Sequence, residues 1–293
     1  MGELPNAQFI LTGSSARKLK RAGVNLLGGR AITLHLHPLT TEEIGESADL
    51  NERLCSGALP SVMLEKQKEM RALILRSYVE TYLKEEIQQE AITRNIPAFA
   101  HFLDLAGHEN GNILNFLNIS REVGVHSRTI KEYFAILEDT LIGFRLYPYV
   151  KSHRERLIRH PKFYFFDTGV VTALKGGLSA GMVPGTDSFG RAFEHFIILE
   201  VKRLFDYRGR EAKISFFRTS DGAEVDLIIE YAENIWAIEI KASSAPRLSD
   251  IRGLRSFIKD HKCQRSICVC LTPRLYKEGD IEFIPWQEFL RQL

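Results

Sequence analysis

The chain has 293 residues, 44% of them hydrophobic and 26% charged, with a formal net charge of +2. This is the composition of an ordinary globular protein long enough for two or three domains, and it excludes a disordered or fibrous chain. So small a net charge assigns no partner, no apolar run approaches the roughly 18 residues of a membrane span, and Met1-Gly2-Glu3 opens no signal peptide. A cytoplasmic protein without a membrane partner is the expectation.

Residues 1–64 are expected to form part of a domain. Gln8 to Ser15 reads as an apolar strand running into a Thr-Gly-Ser-Ser turn, followed by a basic helix from Ala16 to Ala22. Ala31 to Leu36 reads as a second strand, and Thr40 or Thr41 is placed to cap a short helix. Two strands and two short helices cannot close a core. The strand ending in Thr-Gly-Ser-Ser, with the following L-x-G-R-x-x-x-x-x-L-x-P-L, resembles the last third of an AAA-plus ATPase module, Arg30 matching its arginine. No G-x-x-x-x-G-K-[ST] loop occurs, so ATP is not expected to bind this chain alone. Arg17, Lys18, Lys20 and Arg21 read either as a solvated helix face or as phosphate contacts.

The middle block, 65–167, begins with a packing helix from Glu65 to Ala91, on which Met70, Leu73, Ile74, Tyr78, Tyr82 and Leu83 recur at helical spacing. A second helix runs from Ile96 to Leu105. A helix-turn-helix pattern follows: Ile119 to Val123, a turn at Gly124, then Ser127 as the cap of Arg128 to Thr140. Ile130, Tyr133, Phe134 and Leu137 face inward in this reading. Arg128 and Lys131 then lie near the exposed start of the second helix, where recognition helices meet DNA. Leu141–Tyr149 and Lys162–Phe166 read as two strands of a wing. The loop between carries Lys151, Arg154, Arg156 and Arg159 against one acid, a composition suited to a phosphate backbone. The alternative is a winged helix that makes only protein contacts.

Residues 168–293 are expected to be a mixed sheet flanked by helices. Phe189 to Phe205 reads as a helix carrying Glu194 and Glu200. Glu224 to Lys241 reads as a hairpin turning between Ala232 and Glu233, which opposes Asp226 to Glu239 and Glu224 to Lys241. Two opposed carboxylates repel unless a proton or a cation lies between them. Asp226 and Glu239, with Lys241 beside them, thus make a candidate magnesium site for phosphodiester hydrolysis. The bland reading is a solvated cross-strand charge pair. Cys268 and Cys270 alternate with apolar residues in a buried strand, and none of the four cysteines has the CxxC spacing of a zinc knuckle.

Asp-x12-Glu-x-Lys, preceded by the helix bearing Glu194, resembles the signature of the PD-(D/E)XK nucleases. That resemblance implies a restriction-endonuclease-like domain with catalytic Glu194, Asp226, Glu239 and Lys241, the metal being held by Asp226 and Glu239. With SYVETYLKEEI and KFYFFDTGVVTALKG, the chain also resembles the C-terminal part of the AAA-plus ATPases that carry a winged helix and a nuclease-like domain. The implied α/β order is a remnant ATPase subdomain (1–64), a helical and winged-helix domain (65–167) and a nuclease-like domain (168–293). The function implied is that of a DNA-interacting protein with a magnesium-dependent nuclease-like site. Its rival is a non-catalytic module of a split or truncated ATPase that binds nucleic acid or protein, with a protein partner or a homo-oligomer as further assemblies open to it.

Overall fold

The computed structural model describes residues 10, 12–13, 32–45, 49–83, 95–150, 160–178 and 181–293. Most of the first expected strand, the basic helix with Arg17 to Arg21, and Arg30 lie outside these residues. Residues 32–37 have no regular structure, and Ile32, Leu34 and Leu36 are exposed. The expected strand from Ala31 to Leu36 is therefore corrected. Apolar alternation makes a strand only where another strand takes up its backbone groups, and none among the described residues does.

Four short helices follow: α1 (Thr41–Ile44), α2 (Leu50–Ser56), α3 (Pro60–Met63) and α4 (Lys68–Ser77). Thr40 caps α1 through a capping box with Glu43. The helix expected from Glu65 begins at Lys68 and passes into a π-helical stretch at Tyr78–Leu83. Its expected packing face holds in part, since Ile74 and Tyr78 are half-buried and Tyr78 packs on the middle core, and is corrected for the rest. Met70 and Leu73 are exposed, whereas Leu75 and Val79 are buried.

The middle region holds α5 (Ile96–His108), α6 (Phe116–Val123) and α7 (Ser127–Asp139), then the antiparallel pair β1 (Gly143–Leu146) and β2 (Lys162–Phe165). Gly124 ends α6 at φ 75°, a left-handed turn that suits glycine. His126, one residue before the expected Ser127, caps α7. Ile130, Tyr133, Phe134 and Leu137 are buried as expected, in a core shared with Phe102, Leu103 and Phe163. Val170, Val171 and Leu174, on α8 (Thr168–Leu174), belong to the same core.

The long helix α9 (Asp187–Tyr207) starts at the Thr186 cap. It packs on a six-stranded mixed sheet comprising β3 (Lys213–Arg218), β4 (Glu224–Tyr231), β5 (Asn234–Ile240), β6 (Arg265–Cys270), β7 (Tyr276–Glu278) and β8 (Ile281–Pro285). The spatial order is β3-β4-β5-β6-β8-β7, with the β5–β6 and β6–β8 pairs parallel. Phe193, Ile197 and Val201 of α9 share a core with Leu227, Ile229, Ile238 and Ile267 of the sheet and with Phe289 of α11 (Trp286–Gln292). Helix α10 (Arg252–Asp260) closes a second core through Leu254 and Phe257. Gly253 sits so close to β4 that a Cβ there would lie 1.8 Å from the Glu224 carbonyl oxygen. No described helix is long and apolar enough to cross a membrane.

The hairpin has the expected register. Leu227 pairs with Ile238 and Tyr231 with Asn234, leaving a two-residue turn at Ala232 and Glu233 with φ of 46° and 66°. Both turn residues are left-handed, as a tight hairpin turn requires. On its other edge β4 slips against β3: Ser215 faces Ile228, but Phe217 faces Val225. Asp226 and Leu227 thus stand together opposite one residue, a β-bulge, and bulges re-aim side chains.

Candidate functional site

Asp226 and Glu239, brought to opposed positions by the hairpin, converge on one ammonium. Lys241 Nζ lies 2.6 Å from Glu239 Oε1 and 3.6 Å from Asp226 Oδ2. Glu239 and Lys241 are two residues apart on one extended run, so they share a side of it. Asp226 Oδ2 also accepts the Ile240 backbone N–H at 2.8 Å, which fixes that carboxylate to the end of β5. Glu239 is buried, and its Oε2 has no hydrogen-bond partner.

Glu194, the helix glutamate that the resemblance implies, enters this cluster from α9. Its Oε1 accepts a hydrogen bond from the Tyr164 hydroxyl at 2.6 Å and from Lys162 Nζ at 3.2 Å. Lys162 also pairs with Glu224 at 2.7 Å, and Glu224 pairs with Arg218 across the β3–β4 ladder at 3.3 Å. Although the register opposes Glu224 to Lys241, the Glu224 side chain bonds Arg218 and Lys162. Lys162 and Tyr164, both on β2, are members that sequence reasoning left in the wing. The signal was present. Two polar-tipped residues alternate on an otherwise apolar strand and so point to one side.

Crowded acids in a dry place resist ionisation. Burial, then the Asp226 charge, push the Glu239 carboxyl well above its ordinary range. Burial raises Glu194 as well, against the opposing pull of Lys162. Burial disfavours the Lys162 ammonium, but Glu194, Asp226 and Glu224 outweigh it and hold that group above its usual value. Lys241 is likewise raised by Asp226 and Glu239 against burial. Burial and Glu194 keep Tyr164 protonated, as a donor.

The Lys162 side of the cluster opens on a cleft of about 240 Å³ lined by Asn110, Asn112, Lys162, Arg191, Glu194, Arg218 and Glu224. Asp226, Glu239 and Lys241 do not line it. A more apolar cavity of about 220 Å³ beside Leu36, Leu141, Phe144, Phe166 and Leu199 shares no residue with it. Among the described residues no three carboxylate, imidazole or thiol groups form a ready-made metal cage. Magnesium rarely needs one, since it retains several waters and takes one or two carboxylates. Asp226 and Glu239 offer two such carboxylates: their oxygens share one cationic neighbour, and Glu239 Oε2 is left over.

Glu200, the second acid on α9, lies elsewhere. It is fully buried and accepts from Thr41 N–H at 2.8 Å, Arg53 Nη2 at 3.3 Å and Arg203 Nη1 at 3.3 Å. Arg128 and Lys131 are exposed at the start of α7. Arg128 pairs with Glu132 at 3.2 Å, and the Lys131 ammonium lies 5.4 Å from the centre of the Phe116 ring. Lys151, Arg154, Arg156 and Arg159 lie outside the described residues.

Residues 47–180 match a family described as a domain of unknown function (DUF8612), and residues 189–289 match another, DUF4143. The chain is similar to an uncharacterized protein of Mycobacterium tuberculosis and to one of Mycobacterium bovis, each 26% identical over 88% of this chain. It spans 57% of the length of those two relatives. An uncharacterized protein of Haemophilus influenzae is 21% identical over 95% of this chain and 69% of its own length.

Proposed function

We propose that the α9–hairpin cluster is a divalent-cation site that hydrolyses phosphodiester bonds in DNA, on a nuclease-like sheet behind a winged helix. The observation that carries this reading is the buried, unpartnered Glu239 Oε2 beside Asp226, with Lys241 at the same point. A purely structural ion cluster satisfies its oxygens, because an unmet buried acceptor costs about 1–3 kcal/mol or more.

In this reading Asp226 and Glu239 would hold magnesium or manganese, with Glu194 as the remaining carboxylate of the cluster. The bound ion supplies Lewis acidity and a water of lowered pKa. Lys241, at the rim, turns from its carboxylate partners to orient the attacking water or neutralise charge on the phosphate oxygens. The bond from Tyr164 fixes Glu194 Oε1 and leaves Oε2 for the site. Arg191 and Arg218 line the adjoining cleft, where phosphate oxygens of the strand find guanidinium donors. The exposed Arg128 and Lys131 support backbone contact by α7, with the expected wing cations Lys151, Arg154, Arg156 and Arg159 continuing it. Nothing in this chemistry calls for ATP.

Single- and double-stranded DNA incubated with the protein and magnesium or manganese tests the reading. Wild type is expected to cleave at least one form, and Lys241→Ala or Glu239→Gln to lose that cleavage. Intact DNA in every wild-type reaction would leave the recognition or regulatory module as the better account.

A further inference from the structure

The cluster already contains two ammonium groups, and they are held very differently. Lys241 follows the last residue of β5 and its side chain is 30% exposed, with room to swing outward. Lys162 is 5% exposed and sits on a strand whose four residues are all buried. Its Nζ is bound on two sides, by Glu224 at 2.7 Å and Glu194 at 3.2 Å, and lies 5.4 Å from the centre of the Phe216 ring. Resting on the reading of Asp226 and Glu239 as cation ligands, we propose that Lys162 permanently fills a second cation position, between Glu194 and Glu224. The site then takes one divalent ion, not two.

Paired catalytic metals sit roughly 3.5–4 Å apart and need bridging or adjacent carboxylates for each. Here the carboxylates available to a second ion are Glu194 and Glu224, and both are bonded to Lys162. A divalent ion displaces Lys241 at little cost because that ammonium can move into water. It cannot displace Lys162 without stranding a buried, unpaired charge. Charge count agrees. With Lys241 displaced, Glu194, Glu224, Asp226 and Glu239 face Lys162 and Arg218, an excess of two negative charges that one divalent ion neutralises and two would overshoot. The strand that supplies Lys162 belongs to the middle region, so that region sets the metal count of a site built mainly on the C-terminal sheet.

The test is manganese stoichiometry, by calorimetry and by the loss of free-manganese spin resonance, with no substrate present. Wild type is expected to bind one ion per chain. Lys162→Met, which keeps the side chain's length and removes its charge, is expected to bind two. Lys162→Arg should return the count to one. Two ions in wild type, or one in Lys162→Met, would overturn the inference and leave the metal site standing. No binding by wild type would sink the underlying metal site as well. Should Lys162→Met fail to fold, the wild-type and Lys162→Arg counts still decide, since two ions in either refutes the filled position.

Discussion

Helix α9 carries two charge clusters, less than two turns apart, and they are built to opposite ends. Around Glu200, acids and guanidiniums are matched: Glu200 and Asp167 against Arg53 and Arg203. Backbone groups take up most of that cluster, leaving over the Nε atoms of Arg53 and Arg203. Asp167 accepts from Ala58 N–H at 2.7 Å and Val170 N–H at 3.1 Å, and Arg203 donates to the Phe166 carbonyl at 2.8 Å. Gly57 and Gly169 exist there for clearance, since a Cβ would meet Asp167 at 1.9 Å or the Ser56 carbonyl at 2.2 Å. Around Glu194 the acids are in excess, a carboxylate oxygen is unpaired and one lysine is half free. Both clusters are ionic, but they differ in burial: Glu200, Asp167, Arg53 and Arg203 are almost wholly buried, whereas Glu194, Glu224 and Lys241 are 21%, 28% and 30% exposed. What separates a fastener from a site is charge imbalance with an opening.

The sharpest break in that comparison is Glu200→Ala. It strands two buried guanidiniums, a loss of about 3–5 kcal/mol, visible as a lower urea midpoint. It should detach α1 and α2 from α9, because Thr41 and Arg53 lose their anchor. A change under 1 kcal/mol would mean the Glu200 cluster is no fastener.

At the other cluster the same kind of deletion should cost the apo protein nothing. Asp226→Asn keeps an oxygen for the Ile240 N–H and removes a like charge opposite Glu239, a gain of roughly 0.2–1 kcal/mol. At manganese about 100-fold above its dissociation constant, wild type should gain about 2.7 kcal/mol in thermal stability and the variant far less. Equal shifts in both would remove the metal site. Because Glu239 is held above its ordinary range, proton and metal compete for it, so manganese should bind more tightly as pH rises.

A smaller effect of opposite origin comes from His195, next to Glu194 on α9. Burial lowers its pKa to about 3, and the neutral ring bonds the Phe165 carbonyl at 2.7 Å and Asn110 at 3.3 Å. A depressed histidine contributes fully above its unfolded pKa of about 6.5. That contribution falls as pH drops toward 3, because the unfolded chain takes up the proton first. Between pH 7.5 and 5, wild type should lose roughly 1–2 kcal/mol more than His195→Gln in urea melts. Parallel loss would mean the ring titrates normally.

Much of the site was legible because its geometry is local. A hairpin's register follows from where it turns, so Asp226 and Glu239 could be opposed on paper, even though Ala232-Glu233 lacks the usual Asn-Gly signal. Glu194 came from the family resemblance, which implies a glutamate on the helix that precedes the hairpin. Lys162 and Tyr164 were missed because their partners are about thirty residues or more away, on another element. Local pattern says which side of a strand they take, not what meets them. The bulge at Asp226 was equally hidden, there being no glycine to mark it. The strand from Ala31 to Leu36 failed for the same reason reversed: its pattern was right, but pattern supplies no neighbour. Met70 and Leu73 kept helical spacing yet lie on the wrong face, since periodicity fixes a stripe and packing chooses its direction.

The smallest expected effect concerns α7, where the contrast between fastened and free charge recurs at the surface. Arg128 is exposed, and its pair with Glu132 is an i,i+4 surface bridge worth only a few tenths of a kcal/mol. Phosphate therefore competes for that guanidinium easily. Lys131 leans over Phe116, but its ammonium stays exposed. If both meet DNA backbone, replacing them by Ala should weaken binding and flatten the slope of log K against log salt by about two units. Glu132→Gln separates a backbone contact from a merely soluble helix end. It frees Arg128 and removes a repelling charge, so affinity should rise modestly at low salt. A slope unchanged in the double variant, with no gain from Glu132→Gln, would take α7 out of the DNA interface and leave the cleft beside Arg191 and Arg218 as the remaining route for the strand.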